Sequence, residues 1–280
     1  MHHFSHKISF LVFLGLLLSC NTTKHAYKKK LPGTWQGQTI VVDGANKDWP
    51  SPYPGHDDKA LISYAMSNDR DNLYITMATT DARTQLKVVQ AGIIVWIDTG
   101  GAQGHNMAIK YPATSDYVSM PVNRVEGQGN METDRTKRLQ MRARTALSDA
   151  TQISFEGFNG CNTFFKITEV NSCGIMVRMN ISESNELVWE ASIPFKALYG
   201  KEHISKSDNG RPISVCFNIK AFGKPDRFKN MGDSASAKRN NITPADSIRA
   251  ANATSSFAEM QGLFETSTTW KQFGLAYKAH

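Results

Sequence analysis

Residues 61–79 read Leu61-Ile62-Ser63-Tyr64-Ala65-Met66, then Ser67-Asn68-Asp69-Arg70-Asp71-Asn72, then Leu73-Tyr74-Ile75-Thr76-Met77-Ala78-Thr79. The two outer runs are apolar enough for strands, and Leu73, Ile75 and Met77 share a face at the period of two that a strand imposes. The middle run is dense in Ser, Asn and Asp, whose short side chains bond nearby backbone and favour a tight reversal. The stretch is therefore predicted to be a β-hairpin, and the same period recurs along most of the chain.

Downstream, Asp81 is placed to cap a short helix running through Gln90, with Gly92 to end it. Gly92-Ile93-Ile94-Val95-Trp96-Ile97-Asp98 is continuously apolar up to its last residue. That is the pattern of a strand covered on both faces, and it assigns Trp96 to the core. Thr99-Gly100-Gly101 breaks the strand, and Met107 to Tyr111 forms another that Pro112 stops. Residues 113–150 are polar and irregular. Within them 132–147 carries Arg135, Lys137, Arg138, Arg142 and Arg144 and reads as a surface helix or loop. Strands resume at 152–156, 175–181, 187–193 and 213–221, with a turn of helix over Phe195 to Leu198 after Pro194. Residues 223–262 are the longest low-hydrophobicity stretch, and Trp270 to Tyr277 closes the chain as a strand. About nine or ten short strands with turn signals between them specify an all-β fold. The predicted architecture is one antiparallel β-sandwich with short helices and long polar loops.

Upstream, Lys7 precedes an apolar run from Ile8 to Leu18, and Leu17-Leu18-Ser19-Cys20 ends it. About eleven apolar residues are too few to span a bilayer, so the layout is that of a secretion signal. The tetrapeptide resembles the lipobox of bacterial lipoproteins. The resemblance implies cleavage before Cys20, acylation of its thiol, and attachment to a membrane through that lipid. The predicted organisation is a signal peptide over 1–19, a lipidated tether over 20–38 and one domain over 39–280. Lys28-Lys29-Lys30 reads as part of a solvated tether beside the anchor. Asn21 follows the anchor cysteine and no acidic cluster comes after it, which favours a periplasm-facing protein, held at the outer membrane, over a surface-exported one.

The formal net charge of +7 is a mild excess, carried on no long basic helix or aromatic-basic stripe, so nucleic-acid binding is not expected. Of the four cysteines, Cys161 and Cys173 flank a hairpin-like excursion and are candidates for a disulfide in an oxidising compartment. Cys216 lies in an apolar run and reads as a buried thiol. No C-x-x-C pair is present, which argues against a structural zinc site.

Several segments together resemble one family. Val42-Asp43-Gly44 with Asp48-Trp49-Pro50 is similar to the opening of carbohydrate-binding module family 9-like domains, which are related to DOMON domains. Asn68 to Ile75, Gly92 to Gly101, Ala108 to Pro112, Leu187 to Phe195 and Trp270 to Ala276 follow in family order. The resemblance implies a β-sandwich that often binds glycans, sometimes calcium, and in some relatives haem.

Sugar binding needs aromatic faces for the ring and polar groups for the hydroxyls. Trp49 and Tyr53 in a Pro-rich loop, for which a rigid cover over one end of the sandwich is the competing reading, His105 after the Gly-rich turn, and Tyr117 in the 113–150 loop are the candidate ligand-binding residues, while Trp189 and Trp270 are assigned to the core. Calcium is the cofactor considered, with Asp69, Asp71 and Asp98 as its candidate ligands. Turn capping is the competing use of these carboxylates, since the EF-hand pattern fails. No histidine of the mature chain has an axial haem partner identifiable by spacing. Nucleophile, metalloprotease and P-loop signatures are lacking. The expected function is a membrane-anchored, non-catalytic lipoprotein that binds a glycan or similar extracellular ligand. The alternative is a structural lipoprotein of the cell envelope that contacts a protein partner.

Overall fold

The structure is a computed structural model and describes residues 31, 33–38, 40–114, 131–161, 163–224 and 260–279. Cys20 and Tyr117 lie outside the described residues. The predicted hairpin is the pair β2 (Ile62–Asn68) and β3 (Asn72–Thr79), in the register Met66↔Ile75 and Asn68↔Leu73. Asp69 builds its turn: one carboxylate oxygen accepts the N–H groups of Asp71 and Asn72 at 2.7 Å each, and the other accepts the Tyr74 hydroxyl at 2.7 Å.

This hairpin belongs to a five-stranded sheet with β1 (Gly55–Asp57), β8 (Met176–Ile181) and β9 (Leu187–Pro194), in the order β1-β2-β3-β9-β8. A six-stranded sheet contains β4 (Ile93–Asp98), β5 (Met107–Lys110), β6 (Gln152–Glu156), β7 (Phe164–Lys166), β10 (Pro212–Ile219) and β11 (Ser267–Gly274), in the order β11-β10-β4-β5-β6-β7. Every pairing of named strands is antiparallel. The chain is a β-sandwich. Leu73, Ile75, Met77 and Trp189 from one sheet and Val95, Ile97, Val215 and Phe217 from the other fill the space between, each almost fully buried.

Asp81 caps α1 (Ala82–Leu86), accepting the Thr84 N–H at 2.8 Å, and the helix runs on as a π-turn over Lys87–Ala91 up to Gly92. The basic segment forms α2 (Met131–Asp149), which packs against α1 and buries Ala143 in the core. Arg144 is not spread over solvent; its guanidinium donates to the Ile181 and Ser182 carbonyls and to Asn185 Oδ1, clamping the β8–β9 turn. Pro194 precedes α3 (Phe195–Tyr199), which Gly200 ends in the left-handed conformation. Among the described residues no helix is long and apolar enough to cross a membrane.

The folded unit starts before residue 39. Leu31 pairs with Phe273 on β11, and its N–H donates to the Gln272 carbonyl at 3.0 Å. Trp35 pairs with Asn68 on β2, and the Gln36 N–H donates to the Asn68 carbonyl at 2.8 Å. Gly33 lies against the Gly274 carbonyl, where a Cβ would sit 1.9 Å from the oxygen, so only glycine permits the approach. This segment is polar and lacks strand periodicity; its order comes from distant backbone partners.

Candidate functional site

The outer face of the six-stranded sheet carries the chain's most distinctive aromatic arrangement. Inward residues of β4 are Ile93, Val95 and Ile97; Ile94, Trp96 and Asp98 therefore point outward. On β11, Thr268, Trp270 and Gln272 share the outward parity. Cys216 on β10 is the cross-strand partner of both Trp96 and Trp270, so the two indoles stand on one row about two strand spacings, roughly 10 Å, apart. Both are half-buried and neither belongs to a core cluster. Sequence analysis assigned both to the core. The correction has a simple cause: an apolar run implies cover on both faces, and here one face is covered only by neighbouring side chains of the row.

His105 fills the gap. Its ring centroid lies 4.7 Å from that of Trp96 and 5.5 Å from that of Trp270, edge-on in both cases. Asp98 puts it there. One Asp98 oxygen accepts the Gly100 N–H and the other the Gly104 N–H, both at 2.8 Å, so a buried carboxylate folds the Gly-rich loop back over the sheet. Gln272 Nε2 ties the same loop down through the Gly101 carbonyl at 2.6 Å. Gly101 has φ +73°, and a Cβ there would meet Pro212 at 2.5 Å.

Polar groups frame the row. Asn218 Nδ2 donates to Thr268 Oγ1 at 2.9 Å on one side of the indoles, and Ala108 next to Trp96 leads to the Lys110–Glu156 ion pair. Ile94, Lys110, Ser154 and Phe164 then border a cavity of about 170 Å³ on the same face. Cys216 beneath the indoles is fully buried, and that burial pushes its thiol up to about 12 despite the Thr269 backbone N–H. It is a packing residue and not a nucleophile.

The other sequence candidates lie elsewhere. Trp49 is 6% exposed and packs with Ile40, Ala65 and Tyr74 in a second, smaller cluster on the outer face of the five-stranded sheet. Its Nε1 donates to Glu190 Oε1 at 2.5 Å, so it offers no free face to a ligand. Glu190 is fully buried and also accepts the N–H groups of Gly44 at 2.7 Å and Asp43 at 3.2 Å. Burial raises the Glu190 carboxyl above its ordinary range, and these three donors oppose the shift. Tyr53 packs half-buried beside this cluster.

Asp69 and Asp98 spend both oxygens on the turn and loop bonds given above; Asp69 lies in the β2–β3 turn of one sheet and Asp98 ends β4 of the other. Asp71 meets His203 Nδ1 at 2.5 Å. Among the described residues no three His, Cys, Asp or Glu side chains converge as a metal would need. Cys161 and Cys173 form a disulfide. Trp96 and Trp270 were thus missed by sequence reasoning. The signal available was their parity: Trp270 alternates with Thr268 and Gln272, and Trp96 falls in step with Asp98.

No family model and no curated protein matches the chain. Two solved structures of a carbohydrate binding module family 9 from Caldicellulosiruptor kristjanssonii are similar to it. The one in complex with glucose has 12% identity and a TM-score of 0.32, over 69% of this chain and 79% of that one. The one in complex with cellotriose has 12% identity and a TM-score of 0.34, over 88% and 94%. The architecture stands on the chain's own strand pairings.

Proposed function

We propose that this chain is a lipid-anchored lipoprotein of the bacterial envelope that binds a carbohydrate on the Trp96–His105–Trp270 row and does not transform it. One observation carries the reading: two half-buried indoles stand on one row of an outer sheet face, outside both core clusters, with polar groups on either side. A sugar ring lays its C–H faces on aromatic surface while nearby amides, hydroxyls and charges orient its hydroxyls. Asn218, Thr268, Gln272 and the Lys110–Glu156 pair supply that second element. The lipobox-like Leu17 to Cys20 supports removal of residues 1–19, acylation of Cys20, and an outer-membrane, periplasm-facing address.

Calorimetric titration of residues 21–280 with neutral and acidic oligosaccharides tests the reading. One sugar class is expected to bind saturably, and Trp96→Ala or Trp270→Ala to weaken it by roughly 10-fold or more, since an aromatic contact contributes about 0.5–1.5 kcal/mol beyond its area burial. Binding indifferent to both substitutions would refute the site. No binding across a broad panel would refute the ligand class and turn the search to a protein partner. Separately, Cys20→Ala is expected to release the protein from membranes or leave it unprocessed; unchanged membrane partition would refute the anchor.

A further inference from the structure

Beside the edge strands β7 and β8 the surface carries a cleft of about 360 Å³. Phe165 and Ile167, both half-buried, line it above the buried Phe155, Ile175 and Val177, and Val170 at 98% exposure and Met176 at 53% stand at its mouth.

Here the crossing segment, residues 167–175, is held in place. The Cys161–Cys173 disulfide ties it to the β6–β7 loop. Ser172 Oγ donates to the Gly160 carbonyl at 2.5 Å. Asn171 accepts the Ile175 N–H at 3.0 Å and donates to the Ile175 carbonyl at 2.6 Å. These bonds fix the rim, so the cleft is built in advance and does not await a ligand to form.

Its one cation chooses the occupant. Arg178 stands on the outer face of β8, in register with Glu190, and reaches round the free edge of the strand to the mouth, where Nη1 donates to the backbone carbonyls of Val177 at 2.8 Å and Ile167 at 3.4 Å. Among the described residues no carboxylate forms an ion pair with it. Glu169, also on the rim, turns its carboxylate to the Lys166 N–H at 3.3 Å. A planar guanidinium held by one nitrogen presents the rest of its fork to a carboxylate. The volume lies at the small end of ligand sites, roughly 300–1,000 Å³, which suits one hydrocarbon chain and not two.

We propose that this cleft binds a free fatty acid, with the chain along Phe165, Ile167, Val170 and Met176 and the carboxylate on Arg178. The site is separate from the Trp96–Trp270 row and stands whether or not that row binds sugar.

The test is displacement of dansyl-undecanoate from residues 21–280 by dodecanoate, by dodecanol, and by phosphatidylglycerol vesicles. Dodecanoate is expected to bind saturably at one per chain, and dodecanol roughly 10-fold more weakly, the worth of a charge-assisted contact. Arg178→Gln should bring dodecanoate down to the level of dodecanol. Ile167→Trp or the rim substitution Thr168→Trp should fill the cleft and abolish both, with the circular dichroism spectrum and the disulfide retained. The proposal is overturned by absence of saturable binding below micelle formation. It is equally overturned by binding that survives both tryptophan fillers, by equal affinity for acid and alcohol, or by competition from vesicles alone.

Discussion

Replacing Glu190 by Ala should be among the most destabilising single changes in this protein, and its size follows from three hydrogen bonds. The carboxylate is 0% exposed and accepts from the Asp43 N–H, the Gly44 N–H and the Trp49 indole. Removing it strands three donors beneath the 40–54 segment, each at a cost of about 1–3 kcal/mol. Relief of the buried carboxylate's own desolvation offsets part of that sum, so the expected net loss is about 3–5 kcal/mol. Against a typical total of roughly 5–15 kcal/mol that is a large fraction. Glu190→Gln keeps the volume, but its amide nitrogen faces donors, and about 2 kcal/mol is expected. Trp49→Phe keeps the ring and removes one donor, for about 1–2 kcal/mol. Because Trp49 and Glu190 share a bond, the double variant should lose less than the sum of the single losses. Urea unfolding of residues 21–280, followed by far-UV circular dichroism, measures the wild type and all four variants. A Glu190→Ala loss below about 1 kcal/mol, or strict additivity in the cycle, would refute the reasoning.

Two further outcomes follow from titrating groups. At Asp208 burial alone would raise the carboxyl, but both oxygens meet Lys201 Nζ at 2.7 Å, and Ser205 and Arg211 add donors, so the balance holds it well below the usual carboxylate range. A depressed folded value gives stability that is present above the unfolded value of about 3.9 and is lost as pH falls from there through the folded value. Asp208→Asn should therefore lower Tm at neutral pH and converge on the wild type as pH drops below about 4; a gap independent of pH in scanning calorimetry would contradict this. At Cys216, the thiol pushed up to about 12 and its burial predict no reaction with Ellman's reagent in the native state. Denatured residues 21–280 should release one thiol, since Cys161 and Cys173 are bridged, and fast native labelling would show the strand to be open.

Local rules made much of the fold legible. The Asp69 turn, the Asp81 cap, Gly92, and Pro194 before α3 each depend on neighbours within a few residues, and a sequence displays those directly. What escaped was decided at long range. The even positions of β4 are apolar like the odd ones until Asp98, so the run does not say which face lacks a second layer. Trp49 sits in a Pro-rich loop, where a ligand platform and a packed cover read alike, and the partner that decides between them, Glu190, lies 141 residues away. In α2 the charged residues outnumber the apolar ones, and it is the contact of Ala143, with Leu139, Ala146 and Leu147 beside it, that shows the helix to be packed. The indole row is a product of register: Cys216 brings together two strands that are far apart in the chain.

The stitched N-terminal segment governs how the domain answers a pull. Leu31 bonds to β11 in one sheet and Thr34 and Gln36 bond to β2 in the other, and the Asn68 side chain joins the same seam to Ala276 through bonds of 2.8 and 2.9 Å. Tension applied from the N-terminal side enters both sheets together, as shear along the seam. It does not unzip a single strand from an edge. The mechanical threshold of the domain is thus set at the side nearest the pull, while the cleft on the far edge of the six-stranded sheet, about five strand spacings or roughly 24 Å away, is shielded from that load.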